Sequence, residues 1–133
     1  MSVKRKIRID LGSLSPEWKS SFIIIRGLGT EEIIESRRNA RKIEKEIERI
    51  QTALPLATEE EAEVLEAGLA EWNEKQLRQA QVIVTSNFVS GFIFDFDTGE
   101  ERDMAAEDII DMDIETVGFI IGTLMGVNQK KTV

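Results

Sequence analysis

The stretch Thr30–Leu54 limits what this chain can fold into more than any other. Ile33, Ala40, Ile47 and Leu54 recur every seven residues, and Ile43 and Ile50 fall between them at a/d spacing. Only Ser36 interrupts the stripe. The other positions are dense in charge, among them Glu35, Arg37, Arg38, Arg41, Lys42, Glu44, Lys45, Glu46, Glu48 and Arg49. Such a narrow apolar seam on a charged helix packs against one other helix. Thr30 is a good N-cap, with Glu31 and Glu32 at the positive end of the helix dipole. Pro55 stops this helix, and Thr58 with Glu61 forms the capping-box signature of a second. Ala62, Leu65, Leu69 and Trp72, then Leu77, Ala80, Ile83, Val84 and Phe88, mark the second helix's apolar face. It is expected to run to Ser90, with Gly91 as its stop and a break conceivable at the β-branched Val82–Thr85. The short link around Pro55 implies an antiparallel helical hairpin over residues 30–90.

The flanks read differently. Ile7, Ile9 and Leu11 alternate with Arg8 and Asp10, the period of a half-buried strand. Phe22–Ile25 is a short β-branched run beyond the turn-forming Gly12–Pro16, and reads as a second, buried strand. Trp18 in the intervening turn is placed to cap the pair. Phe92, Phe94 and Phe96 alternate before Asp97-Thr98-Gly99-Glu100, which predicts a small hairpin over 91–104. Residues 105–110 form a short helix. Asp113 then caps a last one whose core face is Ile114, Val117, Ile120, Ile121 and Leu124, ending at Gly126. The expected class is α+β, mainly α: an N-terminal two-strand unit (1–28), the long helical hairpin, the small β-hairpin, C-terminal helices (105–126) and a flexible tail (127–133). A chain of 133 residues suits one domain spanning 1–133.

Composition removes several kinds of chemistry. The chain has no His, Cys or Tyr. Disulfides, Ser-His or Cys-His nucleophile pairs and ordinary zinc or copper sites are therefore excluded. Catalysis would rest on carboxylates, Lys or Arg alone, so the expectation is a non-enzyme without cofactor or metal. No apolar run reaches the roughly 20 residues needed to span a bilayer. The basic start Lys4-Arg5-Lys6 is not followed by the apolar stretch of a signal peptide, which places the protein in the cytoplasm. Charge is unevenly divided: residues 1–53 carry 12 basic against 8 acidic side chains, and residues 54–129 carry 3 against 17. A chain with a basic and an acidic section can associate with itself head to tail or dock on a basic partner. The net charge of −8 argues against nucleic acid binding. Solubility alone also accounts for the acidic stretch.

Three segments invite a sharper chemical reading, and each has a plainer one. Phe94-Asp95-Phe96-Asp97-Thr98 resembles the nucleophile segment of haloacid-dehalogenase-like phosphatases. Thr98-Gly99 reverses the order those enzymes use, and 36 residues after Asp97 are too few for their core. From Asp95 the glycine falls one place early for a calcium loop. Asp95, Asp97, Glu100 and Glu101 read as a solvated turn. Gly27-Leu28-Gly29 precedes a helix as phosphate-binding turns do, but Glu31 and Glu32 stand where the phosphate would lie. Lys4, Arg5, Lys6 and Arg8 form a basic cluster without interleaved aromatics, which suits a charged edge strand better than a nucleic acid contact.

The order of features resembles the tail assembly chaperones of long-tailed phages and prophages. The segments that carry the resemblance are Phe22–Arg26 leading into Thr30-Glu31-Glu32, and Val82–Gly126. The latter holds an apolar helix end with Asn87, an acidic turn with Gly99, the short acidic helix start at Met104–Ile109 and the terminal helix Ile114–Met125. The long charged helix Thr30–Leu54 departs from the pattern, and Ser86 stands where many members have Trp. The resemblance implies a homo-oligomerising viral protein that coats the tape measure protein and recruits tail tube subunits around it. Family members are made in short and frameshift-extended forms, and Gln129-Lys130-Lys131 would suit a slippery codon run.

A chaperone of this kind needs an apolar face for partner helices. The expected contact residues are Ile43, Ile47 and Ile50, with Leu65, Leu69 and Trp72 opposite, and Ile114, Val117 and Ile121 on the last helix. The same residues would serve equally as internal core. Rival readings are an adaptor or coiled-coil oligomerisation module such as a head–tail connector, an antitoxin-like regulator touching DNA through Lys4–Arg8, and a carboxylate enzyme dependent on Asp95.

Overall fold

The alternation at Ile7 and Ile9 and the run Phe22–Ile25 do form strands, β1 (Lys6–Asp10) and β2 (Phe22–Arg26), paired antiparallel with Ile9 opposite Ile23. In the computed structural model, residues 5–130 are described, and side chains as far as residue 126. The chain divides into two compact units, Met1–Gly29 with Ala80–Val133, and Thr30–Gln79. It is α+β and mainly α, and the described residues form one four-stranded antiparallel sheet and four α-helices.

The first unit holds the sheet. Strand β3 (Phe88–Phe94) pairs with β2, and β4 (Glu101–Asp103) pairs with β3, giving the order β1-β2-β3-β4. The N-terminal two-strand unit and the later β-hairpin, read separately in the sequence, are therefore parts of one sheet. The 60 or so residues between β2 and β3 concealed that pairing, because period-2 alternation reports a strand but not its partner. One face of the sheet is the core: Ile9, Ile23 and Ile25 are buried on it, with Gly91 opposite Ile23. Helices α3 (Ala106–Ile110) and α4 (Ile114–Lys130) add the buried Ile109, Val117, Ile120 and Leu124, and α4 adjoins β1. Each fully buried aliphatic side chain contributes roughly 1.5–3 kcal/mol.

The second unit consists of α1 (Thr30–Ala53) and the part of α2 (Glu59–Asn87) up to Gln79, joined by a 3₁₀ turn at Leu54–Leu56. Thr58 caps α2 through its hydroxyl, which accepts from the Glu61 N–H at 3.3 Å. Where the two helices adjoin, the Ile50 Cδ1 lies 3.6 Å from the point where Gly68 would carry a Cβ.

Several boundaries differ from the sequence expectation. Helix α2 is unbroken through Val82–Thr85 and ends at Asn87, not at Gly91. Asn87, the last helical residue, is buried, and its amide donates back to the Ile83 carbonyl at 2.8 Å. The β-prone Phe88-Val89 then continues as strand. Gly91 sits within β3, where a Cβ would stand 2.8 Å from the Met104 Cβ and 3.0 Å from the Phe22 carbonyl oxygen. Helix α4 runs past Gly126 to Lys130, so the expected tail is partly helical. Residues 131–133, and Lys4 of the basic cluster, lie outside the described residues.

Polar contacts fasten the C-terminal elements of the first unit. The Gln81 amide donates to the Ile110 and Met112 carbonyls at 2.9 and 3.1 Å, which satisfies the end of α3. Arg102 on β4 makes a two-pronged pair with Asp108 on α3, at 2.7 and 2.9 Å. Asp113 caps α4, its carboxylate accepting from the Thr116 N–H at 2.9 Å.

These contacts set an acid response. The Asp108 carboxyl is held below the usual aspartate value of 3.8 first by the Arg102 hydrogen bond, and then by the Ala105 N–H and the Arg102 charge. Hydrogen bonds from Thr116 hold Asp113 low as well. A lowered folded-state value means that the unfolded chain takes up the proton first. The stabilisation is present above the unfolded value and is lost as pH falls through the folded one. We expect the urea midpoint to fall as the pH drops below about 4. The fall should be shallower in Asp108→Asn, as followed by circular dichroism. A variant that tracks the wild type over that range would remove Asp108 from the acid response.

Candidate protein-binding surface

A hairpin of two helices can bury each helix's stripe against one neighbour only. Within Thr30–Gln79 the consequence is plain. Ile43 and Ile50 are buried, at 8% and 2% exposure, whereas Ile33, Ile47, Leu65, Leu69, Trp72 and Leu77 remain half-buried. Ile34 is half-exposed and Val64 largely so. Lys75 covers part of the Trp72 ring, its ammonium 4.4 Å from the ring centre. The seam read from the heptad spacing is thus internal at Ile43 and Ile50, and half open at Ile47, Leu65, Leu69 and Trp72.

The three site residues expected on the last helix separate. Ile114 is 43% exposed, Ile121 is half-buried, and Val117 is fully buried. Val117 belongs to the sheet core and leaves the partner surface. Its spacing from Ile114 and Ile121 marked one face correctly, but a face can pass from interior to surface within two turns.

The acidic motif has a structural role. The Asp95 carboxylate accepts from the Asp97 N–H at 2.9 Å, and the Asp95 carbonyl accepts from the Gly99 N–H at 2.7 Å. Gly99 lies at φ 73°, a backbone conformation that glycine adopts without strain. Asp95–Gly99 is therefore a hairpin loop closed by an i→i+4 bond, and among the described residues no cluster of three or more acidic side chains is placed to hold a metal. Beside this turn a shallow groove of about 450 Å³ is lined by Trp18, Phe94 and Phe96 with Glu17, Asp97 and Arg102. Phe94 and Phe96 meet edge to face at 5.9 Å, and Lys19 lies 5.9 Å over the Phe96 ring.

Sequence reasoning passed over one feature of α1. Arg37, Arg38, Arg41, Lys42 and Lys45 line a groove of about 420 Å³ together with Ile34. Their spacing of three and four residues signals a single face, but the interspersed glutamates hid it.

Comparison with family models, with curated proteins and with solved structures returns no match. Among the described residues no helix is long and apolar enough to cross a membrane.

Proposed function

We propose that this chain is a non-enzymatic protein-binding factor that works as a phage tail assembly chaperone does. Its helical hairpin takes amphipathic helices of a tape measure protein along the half-open seam, and the assembled coat recruits tail tube subunits in the host cytoplasm. The observation that supports this reading is the hairpin unit, whose Ile47, Leu65, Leu69 and Trp72 stay half-buried in the isolated chain. A partner helix laid on that seam would complete its burial, the helix-in-groove mode of recognition. A coiled-coil adaptor module is the second reading, favoured by the heptad spacing from Ile33 to Leu54.

The test dilutes denatured tape measure protein into buffer with and without this chain and follows turbidity. The expected result is suppression of aggregation by the wild type. The Ile47→Asp/Leu69→Asp variant, checked by circular dichroism for retained helix, should bind about ten- to a hundredfold more weakly. Equal suppression by both would detach the seam from the function. No suppression by either, with a dimer of fixed mass in light scattering, would favour the adaptor.

A further inference from the structure

The hairpin carries opposite charges on its two outer sides. At about 100° per residue, Ile34, Arg37, Arg38, Arg41, Lys42 and Lys45 share one face of α1, roughly opposite the Ile43–Ile50 seam. All five cations are exposed. Arg38 pairs with Glu35 at 3.7 Å, and among the described residues Arg37, Arg41, Lys42 and Lys45 form no ion pair. The stripe runs for about 16 Å along the helix. On α2, the side away from Leu65, Leu69 and Trp72 holds Glu59, Glu60, Glu63, Glu71 and Glu74, with the small Ala67 and Ala70 between them, and all are exposed. Only Glu74 has an ion-pair partner, Arg78 at 2.6 Å.

We propose that the cationic stripe of α1 docks on the glutamate face of α2 in a second copy of this chain. Charge complementarity selects that occupant. Both faces are a few helical turns long, and the alanines of α2 let a neighbouring helix approach closely. A phosphate backbone is the poorer occupant, since the same hairpin carries an exposed row of glutamates and the chain is −8 overall. The contact is heterologous, because each copy offers a basic side to one neighbour and an acidic side to another. Its register is also staggered. Ile50 lies level with Gly68 in the antiparallel hairpin, which places Arg41 level with residue 77. The centre of the glutamate row lies near residue 66, so a neighbour pointing the same way shifts by about 16 Å along its axis. A shifted heterologous contact does not close on itself as a two-fold dimer, and it adds copies in an open row. The inference extends the chaperone reading but uses the outer faces of the hairpin, so the two can fail separately.

Light scattering across protein concentration tests it, at roughly 20 mM and roughly 0.5 M salt, because the latter screens exposed charges within a few ångströms. Wild type is expected to grow in mass with concentration at low salt and to return to its 15.0 kDa monomer at high salt. Arg37→Glu/Arg41→Glu/Lys45→Glu should stay monomeric, and so should Glu60→Lys/Glu63→Lys/Glu71→Lys, with helix content checked by circular dichroism. An equimolar mixture of the two variants should regain mass, since each then offers the complement of the other. A wild type monomeric at every concentration overturns the proposal, as does association indifferent to salt. So does an α2 variant that assembles normally, because the stripe would then meet other acids. Tight binding of labelled duplex DNA by wild type at about 0.15 M salt, without self-association, would assign the stripe to nucleic acid instead.

Discussion

Val117→Asp is expected to unfold the sheet unit, whereas Ile114→Asp, three residues earlier on the same helix, is expected to be tolerated. Val117 is fully buried, while Ile114 is 43% exposed. A carboxylate without a partner in such a site costs several kcal/mol even after its pKa shifts to keep it neutral. Domains of this size are stable by only about 5–15 kcal/mol, so that loss consumes much of the reserve. At Ile114 the side chain can turn to water, and the change should stay within about 0.5 kcal/mol. Urea unfolding followed by circular dichroism reads the difference. Equal midpoints for the two variants would mean that α4 does not present Val117 to the core.

The second large effect is expected at Gly91. Alanine ordinarily stabilises a strand relative to glycine, by roughly 0.5–1 kcal/mol, because glycine loses more backbone freedom on folding. Here the sign should reverse. A Cβ would lie 2.8 Å from the Met104 Cβ and 3.0 Å from both the Met104 Sδ and the Phe22 carbonyl oxygen. The sulfur can swing away, but the Phe22 oxygen is backbone of a paired strand and the Met104 Cβ is fixed by its own chain. Overpacking of this kind costs about 1–3 kcal/mol. Gly91→Ala should therefore lower the urea midpoint. A raised midpoint would show that β3 and the segment after β4 can separate enough to admit a methyl group.

Gly91 also shows how far the sequence could be read. Its neighbours Ser90 and Phe92 allow either a helix end or a strand, and glycine after a long helix usually marks a stop. What holds Gly91 in the strand is its pairing with β2 and the approach of Met104 from the end of β4. Neither contact is visible in local periodicity. The caps at Thr58 and Asp113 were legible because the partner N–H lies three residues away in the same chain. The Ile43–Ile50 seam was legible because a helix repeats its face every turn or two. The β2–β3 pairing was not, since its partners are 63 to 70 residues apart and alternation carries no address. Among the site residues, heptad spacing found the seam but could not divide buried Ile50 from half-open Ile47, because that division depends on the number of helices that share the core. The cationic stripe was hidden by the glutamates between its members in sequence, of which Glu35 flanks it and pairs with Arg38.

The account's central claim is that a partner helix completes the burial of the hairpin seam. Trp72 reports on that seam directly, being half-buried beside Leu69, and Trp18→Phe leaves it as the only tryptophan in the chain. The decisive measurement is the emission of Trp72 in that variant during titration with a soluble helical segment of tape measure protein. The account predicts a saturable blue shift, abolished by Leu69→Asp in the same background. An unchanged spectrum under conditions where the two proteins co-sediment would contradict it, and would place the partner on another face.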